Sequence, residues 1–247
     1  MYRGGLIPFA HRDPVLEASI LGALASGYST VLTTLRRLQL SVLFDGSPGS
    51  DTDHERCCNF WGTLYPRMVL TPMQHTLTEL TLHSSAYVGA LFGLSFAGLH
   101  FPHLCALSLR MVVFEPSVGA LNYILRHAAT LARLELLRCK LLHPDFPSPT
   151  AHAWDEESSP EPDSWEYTWN RFAADLTALV ALHIDEHRRD RWGHASMESR
   201  YVQPIPEGMV YSEVYYTVTP CNAAPVVALR NFQLTVAARS EEVRGAS

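Results

Sequence analysis

Among the residues able to do chemistry, His183, Glu186 and His187 have the most specific spacing: with Ile184 and Asp185 between them they spell H-x-x-E-H. On a helix, that spacing sets two imidazoles one turn apart as zinc ligands and leaves the glutamate to activate a bound water, the chemistry of a zinc-dependent hydrolase. The chemistry needs the helix. Leu182 and Ile184 alternate with their neighbours as on a strand, which turns His183 to the opposite face and removes the helical spacing. No third ligand is evident. The expectation is an exposed strand and loop with no metal.

Other reactive groupings have similar gaps. Gly93-Leu94-Ser95-Phe96-Ala97 is a partial nucleophile elbow, but the full motif sits on a sharp strand-to-helix turn with acid and His partners later in the chain. Asp53, His54, Cys57 and Cys58 offer ligating atoms, yet adjacent cysteines lack the two-residue gap of tetrahedral zinc sites. Arg188, Arg189 and Arg191 beside Trp192 would suit a nucleic-acid strand. Against that, the formal net charge is -6 and the pI is near 6.0, where a nucleic-acid binder needs a basic surface. No glycine-rich nucleotide loop is present, so no cofactor is expected. No apolar run reaches about 18 residues, so no membrane partner is expected. His11, Arg12, Asp13 and Pro14 break the N-terminal apolar stretch of a secretory signal. Cys57, Cys58, Cys105, Cys139 and Cys221 lack paired spacing, which favours a reducing compartment, cytoplasm or nucleus.

The elements that must position these residues come from a repeat. The chain holds 33 leucines, and Leu131, Leu134, Leu136, Cys139 and Leu141 spell L-x-x-L-x-L-x-x-C-x-L, the leucine-rich-repeat consensus. Earlier copies are Leu104, Leu107 and Leu109; Leu77, Leu80 and Leu82; and Leu35, Leu38 and Leu40. The middle leucines at 80, 107 and 134 are 27 residues apart. Leu38 to Leu80 exceeds that period by 15 residues, assigned to a Gly/Ser/Asp-rich loop insertion at 45–56. Leu134 to Leu182 exceeds it by 21, assigned to an acidic, proline-rich insertion at 144–164 that is predicted to be exposed and dispensable for folding. With both removed, five repeats align.

Each repeat predicts a short strand, x-x-L-x-L, with both leucines inward, and a returning helix. Val118, Leu121, Ile124 or Leu125, and Ala128 recur at helical steps, as do Trp165, Trp169, Phe172 and Leu176 after Ser164. A single unit cannot bury its leucines, so stacked units share one core and the ends need caps. One cap is predicted from Asp13 and Pro14, with Leu16, Ile20 and Leu24 on one face. The other starts near Pro225, with Val226, Leu229, Phe232 and Val236 inward. The fold class expected is therefore α/β, a solenoid of about five strand/helix repeats forming one domain over 1–247.

The repeats, the run from Leu94 to Leu142 and the tail pattern Tyr201, Val202, Gly208, Tyr211, Ala228, Leu229, Phe232, Val236 and Arg239 resemble the F-box/leucine-rich-repeat-like proteins expanded in basidiomycete fungi. The resemblance covers most of the chain from about residue 30. It implies a substrate receptor of a cullin-type ubiquitin ligase, with ligase subunits as partners. Met1 to Thr34 shows no L-P-x-E/D-like F-box opening. The ligase reading therefore expects an in-frame F-box upstream of Met1 in the gene; the alternative is a truncated repeat protein with no autonomous activity.

The surface left for function is the outward face of the strands, and its residues mix charge, hydroxyl and imidazole without a catalytic cluster. Gln39, Thr81, His83, Ser108, Arg110, Arg133, Glu135 and His183 are the candidate partner-binding residues, and the partner expected is a protein. Catalytic residues are not expected. Lys140 is the sole lysine beside 18 arginines, a depletion that suits a receptor held near ubiquitin-transfer machinery and that codon bias of a GC-rich genome also produces.

Overall fold

Alternate side chains of an extended chain point to opposite faces, so a Leu-x-Leu pair buries both leucines on one side only. In the computed structural model, which describes residues 31–42, 59–89, 94, 96, 98–114, 120–142, 164–184, 201–205, 210–214 and 224–246, each such pair lies in a strand. The strands are β1 (Arg37–Val42), β2 (Glu79–Gly89), β3 (Ala106–Phe114), β4 (Arg133–Leu137), β5 (Lys140–Leu142), β6 (Ala181–Ile184), β7 (Tyr201–Ile205) and β8 (Val210–Val214). Together they form one open eight-stranded sheet, parallel throughout except for β8, which runs antiparallel to β7.

The register follows the leucine spacing. Across β1, β2, β3, β4 and β6, Leu38, Leu80, Leu107, Leu134 and Leu182 lie opposite one another, followed by Leu40, Leu82, Leu109, Leu136 and Ile184. Just before the strands, one carbonyl per unit accepts two amides of the next unit: Arg36 from Thr78 and Glu79, Thr78 from Cys105 and Ala106, Cys105 from Ala132 and Arg133, and Ala132 from Val180 and Ala181.

β2 and β3, with 11 and 9 residues, are longer than the five-residue frame. β3 continues past Leu109 through Met111, at φ 60°, and its last residues pair with β5. Arg138, 27 residues later, has φ 52° between β4 and β5. At both places a left-handed residue ends the first lane of strands and redirects the chain into a second, made by the ends of β2 and β3 with β5, β7 and β8. Gly89 enters this lane at φ 147°, where a Cβ would stand 2.1 Å from the Val113 carbonyl oxygen, so only glycine lets the two backbones approach.

Helical segments cover the leucine face. Residues Phe60–Leu70 form a π-helix that buries Trp61, Tyr65 and Leu70 at steps of four and five, wider than an α-helix requires. In α1 (Ala120–Leu125), Leu121 and Ile124 are buried as predicted; the helix ends at Leu125 and it is His127, with Ala128 only half-buried, that turns inward. Val118 lies outside the described residues. In α2 (Trp165–Asp175), Ser164 caps the first turn by accepting the Tyr167 amide at 3.2 Å. Trp165, Trp169, Phe172 and Leu176 are all buried, and the two indoles stack at 4.4 Å.

The last helix, α3 (Ala224–Gly245), packs on α2 and β6 and buries Ala228, Leu229, Phe232 and Val236. Val226, predicted inward, is exposed: at 3.6 residues per turn it falls on the flank of the face these four share. Arg239 donates to the Leu176 and Ala173 carbonyls at 2.7 and 2.8 Å, closing the C-terminus of α2 where unpaired carbonyls and the helix dipole favour a cation. The predicted cap from Asp13 to Leu24, the insertion at 45–56 and residues 144–163 lie outside the described residues, as does any test of one domain spanning 1–247.

Candidate functional site: the polar strand face

The alternation that buries the leucines lifts the intervening residues onto the other face, where parallel register sets them in rows across the strands. In the first row Glu79 lies between two arginines: Arg37 Nε is 3.2 Å from Oε1 and Arg133 Nη2 is 3.8 Å from Oε2. Ala106, in register between Glu79 and Arg133, is small enough for that reach.

The second row places Gln39, Thr81, Ser108, Glu135 and His183 opposite one another. Ser108 donates its hydroxyl hydrogen to Glu135 Oε2 at 2.5 Å, in the range of a charge-assisted bond. His83, from the third row, has Nε2 3.0 Å from the same hydroxyl oxygen. A serine has one hydrogen to give, so with that hydrogen on Glu135 the imidazole must be the donor to Ser108. Desolvation lowers the proton affinity of His83, the Glu135 carboxylate raises it and the Arg110 cation lowers it, with a net downward shift. Neutral His83, hydrogen on Nε2, therefore heads a relay running His83 to Ser108 to Glu135.

That polarity decides the chemistry. An activated serine gives its proton to the imidazole, with a third group orienting the base. Here the imidazole donates and the carboxylate accepts, so the arrangement differs from a serine–histidine pair, and the relay fixes three side chains in place.

Burial differs from the sequence expectation at the centre. Ser108, expected on the outward face, and Ala106 beside it are 9% and 7% exposed because β3 has a strand on both sides and larger side chains close over its small ones. Arg110 stays exposed, as do Gln39, Arg133 and His183; Thr81, His83 and Glu135 are half-buried. The structure thus brings His83, Ser108 and Glu135 into contact, while Gln39 and His183 stand at the outer strands of that lane.

His183 lies on a strand and is exposed, so the helical spacing of a zinc site is missing there. Glu186 and His187 are outside the described residues, as are Gly93, Ser95, Ala97, Asp53, His54, Cys57, Cys58, Arg188, Arg189, Arg191 and Trp192. Among the described residues, no three His, Cys, Asp or Glu side chains gather as a metal site. Nor is any helix among them long and apolar enough to cross a membrane.

Cys139 holds the Cys position of the consensus: its thiol donates to the Leu109 carbonyl of the preceding unit at 3.4 Å, and desolvation pushes its pKa up to about 12. Sequence reasoning missed His127, which is buried, accepts the Phe101 amide on Nε2 at 3.0 Å and faces the Tyr123 carbonyl with Nδ1 at 2.8 Å. Those partners fix the neutral Nδ1–H tautomer, and desolvation lowers its proton affinity. The available signal was a polar residue three after Ile124 and four before Leu131, on an otherwise apolar face. Comparison with known protein families, with curated proteins and with solved structures finds no match to this chain.

Proposed function

We propose that the chain is a leucine-rich-repeat solenoid that works as a non-catalytic protein-interaction module, with the polar strand face as its binding surface. The registered leucine rows and the carbonyl ladder between units support the solenoid reading. The observation that carries the binding reading is the relay His83–Ser108–Glu135: polar side chains pinned across three strands present a preformed pattern and lose little freedom when a partner docks. The sequence resemblance extends the proposal to a substrate receptor of a cullin-type ubiquitin ligase in the cytoplasm or nucleus.

Cross-linking mass spectrometry on the full chain, purified from its own cells, tests this. Partner cross-links are expected on β1 to β4 and β6 around the polar face, with a cullin-ligase subunit among the partners. Cross-links confined to the helical side overturn the binding face; absence of any cullin-ligase subunit overturns the receptor role. Metal analysis supplies the contrast, since a hydrolase built on His183, Glu186 and His187 retains about one zinc per chain.

A further inference from the structure

Among the described residues, charge on the polar face is not balanced. The described rows hold three arginines, Arg37, Arg110 and Arg133, against two glutamates, Glu79 and Glu135, on a chain whose net charge is -6. Glu79 engages both Arg37 and Arg133, and Glu135 is engaged by Ser108. Arg110 is exposed, with His83 and Leu137 as its cross-strand neighbours and no ion-pair partner among the described residues. We propose that the occupant of this face is an acidic peptide segment of the partner protein, seated with a carboxylate on the Arg110 guanidinium and an apolar side chain over half-buried Leu137.

This inference rests on the face being a binding surface and adds the chemistry of what binds. A guanidinium presents a fixed fork that matches a carboxylate. Neighbouring strands are about 4.8 Å apart and an extended peptide advances about 3.3 Å per residue, so a carboxylate and an apolar side chain one or two positions apart reach Arg110 and Leu137 together. A basic segment would set a cation beside Arg110, which opposes it. A long polyanion such as nucleic acid meets the chain's net negative charge over much of its length, whereas a short acidic segment meets the local field within a screening distance of about 8 Å.

The test uses the full chain and fluorescein-labelled peptides in fluorescence anisotropy. One peptide alternates glutamate with leucine and serine, and two others replace each glutamate with lysine or with phosphoserine; a single-stranded oligonucleotide is the fourth probe. The glutamate peptide is expected to bind best and to weaken as salt is raised. Arg110→Gln is expected to weaken it by about tenfold or more, and Arg110→Glu to transfer the preference to the lysine peptide. Unchanged thermal melts of both variants show that the fold is intact, as the exposure of Arg110 leads one to expect.

Failure of the glutamate peptide to bind, equal binding of glutamate and lysine peptides, indifference to Arg110→Gln, or preference for the phosphoserine peptide or the oligonucleotide each overturns the proposal. Failure of the wider reading looks different. Partner cross-links that stay on the strand face in Arg110→Glu remove the acidic segment but keep the binding face; cross-links elsewhere remove both.

Discussion

On the inner face, β1 to β4 and β6 each offer their neighbour the same two positions, and leucine meets leucine in all but the last, where Ile184 stands in. On the outer face the same strands offer Arg37, Glu79, Ala106, Arg133 and Ala181 in one row and Gln39, Thr81, Ser108, Glu135 and His183 in the next. Backbone and register are shared, so the contrast comes from what each face must do. Burial of apolar area is non-directional and is met by one residue type repeated. Polar contacts are directional and local, so the outer face differs from strand to strand.

The contrast is broken most severely from the inner side. Leu107→Ala and Leu134→Ala, at positions 1% and 0% exposed, should each cost about 2–5 kcal/mol in denaturant melts through lost burial and the cavity left. A loss near zero at both would mean that the leucine rows do not hold the sheet.

His127 sharpens the comparison, since it is a polar group on the apolar side. His127→Leu leaves the buried Phe101 amide without its acceptor and should cost about 1–3 kcal/mol. Burial holds the proton affinities of His83 and His127 below the unfolded value of about 6.5. As pH falls below that value the unfolded chain gains protons first, so stability contributed by the neutral imidazoles is present above it and is lost on acidification. The His127→Leu variant should show a shallower loss of stability with acid than the parent; an identical pH dependence would place the acid sensitivity elsewhere.

On the outer face the effects shrink. Ser108→Ala is expected to cost about 1 kcal/mol because it removes the centre of the relay between His83 and Glu135. Arg37→Ala should change the melt by no more than about 0.5 kcal/mol, because an ion pair with one partner 77% exposed is screened by water. If Arg37 matters more than Ser108, the order of importance on this face is inverted.

Lys140 offers a comparison inside one residue. The sole lysine is wholly buried in β5, so an amine-acylating reagent applied to the native chain should leave Lys140 intact until denaturant is added. Rapid native labelling of Lys140 would show that the second strand lane opens readily.

Legibility differed by element for a physical reason. The first-lane strands and α2 were readable because Leu-x-Leu alternation and the Trp165, Trp169, Phe172, Leu176 spacing each match one element's period. The second lane was not read: β5 has only three residues, β7 holds its place by pairing with β5 some 60 residues earlier, and β8 by pairing with β7, rather than by a repeating apolar pattern. The π-helix over Phe60–Leu70 was missed because a four-and-five step matches neither of the periods used to find helices and strands. At the site, the outward residues could be named from the frame, but their contacts could not. Ser108 and Glu135 are 27 residues apart, and only register brings them within hydrogen-bond reach.

The sequence by itself determined that the strand leucines face the core, because side-chain alternation and a 27-residue period are properties of the chain. Tertiary structure decided the rest. It set which outward residues meet across strands, where Met111 and Arg138 redirect the chain, and which polar groups, His127 and Lys140 among them, are withdrawn from water. Those outcomes depend on packing between segments distant in sequence, which local patterns do not encode.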